Sequence, residues 1–125
     1  MPNEIFDQVT VAIGAHRQWK QRLQSVIDTG QSTLSAADVC ADNHCDFGRW
    51  LYSLPPAGRN SAHWRDVQKL HACFHQEAGN VLDLALRGDK AGAQKRMAFG
   101  GSFAAASANL TGAMMKWKAA ATAAA

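Results

Sequence analysis

Phe6, Val9, Ile13, His16, Lys20, Leu23 and Ile27 follow one another at alternating steps of three and four, the repeat of one face of an α-helix. The pattern predicts a helix from about Asn3 to about Thr29, ended by Gly30, with a histidine on its inward stripe. Residues 32–41 read as a connector with one helical turn capped by Ser35. A short helix is expected next over residues 43–53, with Phe47, Trp50, Leu51 and Leu54 on its apolar side and Pro55-Pro56 as its stop. Ser61 is a candidate N-cap for a long helix reaching Arg87, in which Trp64, Val67, His71, Phe74, Ala78 and Val81 gather on one side and Gly88 marks the end. A fourth helix opens near Asp89 and carries Met97, Phe103, Leu110 and Trp117 on its buried side. Within it, Gly100-Gly101 costs roughly 1 kcal/mol per glycine against alanine, so the helix bends there or another backbone packs closely against it. No stretch alternates as a strand does, and short connections between long helices favour antiparallel neighbours. The expected fold is therefore all-α, an antiparallel four-helix bundle with a short extra helix carrying Cys45, spanning residues 1–118 ahead of an Ala-rich tail, 119–125, that frays.

A chain of 125 residues is one domain, large enough to bury a core without disulfides. Thirteen basic and ten acidic residues leave a net charge of +3, and the basic ones are scattered singly, which excludes a phosphate-binding stripe and argues against nucleic acid. No apolar run reaches the ~18 residues of a membrane span, and the N-terminus lacks a basic-then-apolar leader, so a cytoplasmic protein with no membrane partner is expected. The cysteines Cys40, Cys45 and Cys73 contain no Cys-x-x-Cys pair and, in a reducing compartment, read as thiols or ligands.

His71-Ala-Cys-Phe-His75 places two imidazoles on adjacent helical turns, about 5–6 Å apart at Cβ, where they can share a metal ion. Taken alone the pair also fits two surface or amide-bonded histidines. His16 changes the balance, because an unpaired imidazole on an apolar stripe is a poor core residue. Cys45 stands at the start of the short helix, where a thiolate gains from the helix dipole, although by itself it reads equally as a small buried hydrophobe. A structural zinc takes four nitrogen or sulfur donors in a tetrahedron, and His16, Cys45, His71 and His75 supply such a set from three helices. Trp19 and Trp50 are expected to pack around the site and keep water out. Asp42 and Asn43 read as caps of the short helix, with Asp42 alternatively an acid that tunes the thiolate. His44 and His63 are expected in solvent, with His44 the substitute ligand should His16 lie too far away. Cys40 and Cys73 fall outside the donor set, and Cys73 is expected to be buried and inert.

Together, His16-Arg-Gln-Trp19, Cys45-Asp-Phe-Gly48-Arg-Trp50-Leu51 and His71-Ala-Cys-Phe-His75 resemble the chemoreceptor zinc-binding (CZB) domain family over residues 5–110. The resemblance implies a helical bundle binding Zn2+ through three histidines and one cysteine, with His16, Cys45, His71 and His75 as the ligands. It also implies a homodimer and a signalling output, either a chemoreceptor or a diguanylate cyclase. No methyl-accepting coiled coil or cyclase motif follows residue 118, so the output would act in trans or in a longer chain.

The leading expectation is a regulatory zinc-binding domain of bacterial signalling, of the chemotaxis or cyclic-di-GMP type and without enzymatic activity. In it, metal occupancy or the state of the Cys45 thiolate alters helix packing. Zinc holds that thiol as thiolate, the form an electrophilic oxidant attacks, which makes Cys45 the redox-sensitive candidate. A zinc hydrolase needs an open coordination position and a general base, yet Ala72 stands where His-Glu-x-x-His has its glutamate. A hemerythrin-like di-iron site needs bridging carboxylates, and the only glutamates are Glu4 and Glu77. A purely structural zinc in a dimerisation module is the remaining competitor. The homodimer is expected through a smooth face on the fourth helix made by Gly100, Gly101 and the alanines at 104–106.

Overall fold

The structure is a computed structural model describing residues 4–43 and 45–124, whose regular elements are all helices. These are α1 (Glu4–Thr29), α2 (Ala36–Cys40), α3 (Asp46–Ser53), α4 (Pro56–Arg59), α5 (Ala62–Leu86), α6 (Lys90–Met97) and α7 (Ser102–Ala124). Side-chain oxygens cap several N-termini where the sequence places them: Ser35 accepts from the Asp38 amide, Ser61 from Trp64 and Asp89 from Gly92. No helix among the described residues is long and apolar enough to cross a membrane.

Cross-contacts fix the topology. Lys90 donates to the Asp28 carbonyl, Gln94 bonds Gln24, and the Lys118 ammonium lies over the Phe6 ring, so α6 and α7 descend as α1 rises. Arg96 pairs with Glu77 and Phe103 packs on Phe74, which sets α7 antiparallel to α5. His75 bonds the Val39 carbonyl while Trp64 bonds that of Leu51, so the α2–α4 segment also runs against α5. The result is an up-down-up-down bundle of four columns: α1, α2–α4, α5 and α6–α7. The short α3 is the helix that Cys45 opens, as expected.

Two of the four columns are broken. The expected fourth helix ends at Met97 and restarts at Ser102, with Gly100 at φ +85°, a left-handed conformation that favours glycine. A Cβ on Gly101 would lie 2.4 Å from the Lys95 and Arg96 carbonyl oxygens, so the close backbone there is the last turn of α6 itself. The glycine pair therefore makes a turn rather than a smooth helical face. Pro55 and Pro56 stop α3 as expected, but Pro56 then starts the single turn α4, where its missing N–H costs nothing. Residues 119–124 continue the helix α7.

The core is aliphatic and aromatic, with Phe74, Leu23, Leu51, Leu82, Leu110 and Met114 among its fully buried side chains. Its buried polar members are His16, His71 and His75. Next to them α2 lies directly on α5: a Cβ on Gly79 would sit 2.7 Å from Cys40 Cβ and 3.1 Å from the Ala36 carbonyl. That close approach brings the end of α2 over His75.

Candidate metal centre

Each buried histidine is placed by its helix and, in two cases, fixed by a backbone acceptor. His16 Nδ1 donates to the Ala12 carbonyl at 2.7 Å, which gives Nε2 the lone pair. His75 Nδ1 donates to the Val39 carbonyl at 2.9 Å with the same consequence. His71 Nε2 lies 3.1 Å from His16 Nε2 and 3.3 Å from Cys45 Sγ, while its buried Nδ1 has no hydrogen-bond partner among the described residues. Cys45 is the N-cap of α3, and its sulfur accepts from the Gly48 N–H at 3.3 Å, at the positive end of that helix.

One donor atom from each of His16, Cys45, His71 and His75 lies within 4.8 Å of every other. Zinc–nitrogen and zinc–sulfur bonds of ~2.0–2.1 and ~2.3 Å place tetrahedral donors about 3.3 Å (N to N) and 3.6 Å (N to S) apart. The 3.1 and 3.3 Å contacts already match those edges, and the widest separations, up to 4.8 Å, need to close by roughly 1.2–1.5 Å. The cluster is therefore positioned to coordinate a metal, and three imidazoles with one thiol is a donor set suited to zinc.

Electrostatics prepare the imidazoles for this. Burial first, then the neighbouring His75, lowers His16 to a pKa of about 4, against a partial rise from its bond to Ala12. Burial, with His75 and His16 beside it, lowers His71 to about 2. Both rings are neutral at physiological pH, with lone pairs available. The Cys45 thiol goes the other way: burial raises it, and the Gly48 amide offsets part of the rise. Metal binding must then displace the thiol proton.

Aromatic rings pack against the histidines of the cluster. Phe47 meets His71 edge-on at 5.2 Å, Phe74 meets His16 at 5.0 Å, and Trp19 meets His75 at 6.2 Å with the Arg22 guanidinium 4.9 Å from its own ring. Trp50 lies one layer further out, tilted on Phe47 and Trp117, with its indole N–H donating to Glu4 at 2.8 Å.

Asp42 does not cap α3, but its charge adds to the rise of the Cys45 thiol, as the alternative reading expected. The cap of α3 is Cys45, and the Asp42 carboxylate instead accepts from the Tyr52 hydroxyl, which Gln68 also reaches at 3.0 Å. The Asp42 backbone fills the space over Gly48, where a Cβ would come within 1.8 Å of its carbonyl oxygen. Tyr52, Gln68 and Gly48 thus hold the loop that presents Cys45, together with the carbonyls of Ala12 and Val39 behind the histidines. Gly48, three residues after Cys45, was the part of this support visible in the sequence. Tyr52 and Gln68 are polar residues that no local pattern distinguishes.

The remaining candidates lie apart from the cluster. His63 is half-buried in a shallow groove with Asp66 and Lys116 rather than fully in solvent. His44 falls outside the described residues. Cys40 is half-buried, its thiol donating to the Ala37 carbonyl at 3.2 Å. Cys73 is exposed, contrary to expectation, because a position two residues from both His71 and His75 lies about 200° around the helix from the face they share.

A family model described as the chemoreceptor zinc-binding domain matches residues 16–82, just over half of the chain and inclusive of all four donors. No curated protein and no solved structure matches the chain.

Proposed function

The chain belongs to the chemoreceptor zinc-binding domain family, and on that premise we propose that His16, Cys45, His71 and His75 hold one zinc ion whose occupancy regulates a bacterial signalling output. The observation that carries this reading is the convergence of four donor atoms within 4.8 Å from three columns of the bundle: α1, the α2–α4 segment and α5. Zinc bound there supplies Lewis-acid stabilisation of the Cys45 thiolate. The chain's own residues do the rest: the Ala12 and Val39 carbonyls orient two rings, and Gly48 and Asp42 seat the sulfur. Loss of the Cys45 bond, through metal withdrawal or attack by an electrophilic oxidant, loosens α3 against the other two columns. Four protein donors leave no position for a substrate, so the domain acts as a sensor and not as an enzyme.

The output is a chemoreceptor or diguanylate cyclase, in cis or in trans, in the cytoplasm. A second copy of the chain is expected to pack on α7. With Gly100 and Gly101 in a turn, the small outward residues available to it are Ala105, Ala108 and Gly112. A solution mass near 13.5 kDa at micromolar concentration would refute the dimer. X-ray absorption on the loaded chain tests the ligand set: one zinc with three nitrogens and one sulfur is expected, and two or more sulfurs would refute it by bringing in Cys40 or Cys73. A competition titration of zinc affinity, with helix content followed as metal is withdrawn, separates sensing from a staple. An affinity far tighter than the cell's free zinc would leave only the structural role.

A further inference from the structure

A crevice of about 440 Å³ separates α1 from the α2–α3 segment. His16, Cys45 and His75 line it, and His71 does not. Three of the four donors are therefore met from this side, with Phe47 also on the crevice wall, while Phe74 stands against His16 away from it. The volume holds several waters, each occupying about 30 Å³ in the liquid, so a hydrated cation need not shed its shell before it reaches the donors. The charge is also suitable. The whole chain carries +3, yet the charged side chains lining the crevice are two carboxylates, Asp38 and Asp46, against the one guanidinium of Arg22, so the lining is not basic. Asp46 is also paired to Arg49 at 3.4 Å. The Arg22 guanidinium is stacked on Trp19, at the side of the crevice next to His75. On α1, the lining residue Ala15 is small and exposed.

We infer that this crevice is the route by which zinc enters and leaves its site, with Ala15 and Trp19 setting its width. The inference rests on the ligand reading above but concerns rates, which that reading does not fix. A side chain that obstructs the route raises the barrier equally in both directions, so entry and exit slow together and the equilibrium is untouched.

The test uses the whole chain. Zinc association with the metal-free protein is followed by stopped flow, and dissociation into a chromophoric chelator is extrapolated to zero chelator. The dissociation constant is measured separately by competition. Ala15→Trp is expected to slow both rates by about tenfold and Ala15→Leu by less, with Kd within about twofold of wild type in each case. Should Ala15→Trp fail to fold, the milder Ala15→Leu carries the comparison. Folded variants with wild-type rates would overturn the inference. So would a changed dissociation rate matched by an equal change in Kd, since the residue would then act on the bound site. Absence of stoichiometric zinc in the wild-type chain would overturn the ligand assignment itself, and the route with it.

Discussion

Acid should unfold the metal-free protein through its buried histidines. His16 and His71 have folded pKa values of about 4 and about 2, below the 6.5 of an ordinary imidazole. The unfolded chain therefore takes up these protons first, and stability that is complete above pH 6.5 falls as the pH drops toward the folded values. At pH 5 each imidazole lies about 1.5 units below its unfolded pKa and still neutral in the fold, which costs about 2 kcal/mol per ring and ~4 kcal/mol for the two. Against a typical total of about 5–15 kcal/mol, that is a large share. Urea denaturation of the chelator-treated protein at pH 7.5 and pH 5, followed by helical circular dichroism, reads the difference as a lower midpoint at unchanged slope. Replacing one of the two rings, as in His71→Leu, should remove about half of the pH dependence. A midpoint equal at both pH values, or a His71→Leu variant with the full wild-type dependence, would refute the account.

Gly48→Ala should be severely destabilising, by about 3 kcal/mol or more, because its Cβ would lie 1.8 Å from the Asp42 carbonyl oxygen and backbone must move; thermal unfolding checks this, and a near-normal midpoint would contradict it. Cys45→Ala should keep weakened zinc binding through the three histidines, whereas His75→Ala should weaken binding far more than His63→Ala in the same competition titration. Tyr52→Phe removes a hydroxyl shared with Asp42 and Gln68, and should cost about 1–2 kcal/mol of stability and some zinc affinity while stoichiometry stays at one.

What could be read from the sequence was whatever repeats at a helical period or punctuates a helix end. The stripe from Phe6 to Ile27 located α1 and put His16 inside, and Ser35, Ser61 and Gly88 marked boundaries close to the observed ones. The four donors were legible because ligand spacing on one helix, a histidine on an apolar face and a helix-opening cysteine each break an ordinary pattern. Long-range polar contacts left no such trace. Asp42 bonds Tyr52, which lies ten residues away, and Gln68 beyond that, so a cap was the natural reading of an acid before a helix. The split of the last column was half visible: the glycine pair announced a weak helix, but the positive φ that turns it into a break depends on α6 packing back on itself. Cys73 was misplaced because being next to a ligand in sequence says nothing about the face of the helix.

The same geometry indicates where a loss of metal should be felt. Column two consists of helices of five, eight and four residues, all shorter than the ~12–15 at which even good isolated helices become marginal. Its attachments point mainly at α5: the Gly79 contact under α2, the His75 bond to the Val39 carbonyl, the Trp64 bond to the Leu51 carbonyl and the Gln68 bond to Tyr52. Trp50 reaches further, bonding Glu4 of α1 and packing on Trp117 of α7. Facing α1 it has the crevice and the Trp50 bond to Glu4, and a metal held jointly by His16 and Cys45 would be a further link to that helix. The three long helices have instead a continuous core through Leu23, Phe74, Leu82 and Leu110, none of which depends on zinc. Withdrawing the metal, or replacing Cys45 by alanine, should thus raise hydrogen exchange over residues 40–54 while α1, α5 and α7 stay protected at neutral pH. Comparison of zinc-loaded, zinc-free and Cys45→Ala protein decides the matter. An even rise over every helix would make the zinc a staple of the whole fold, and no rise in that segment would mean that the attachments to α5 hold column two without it.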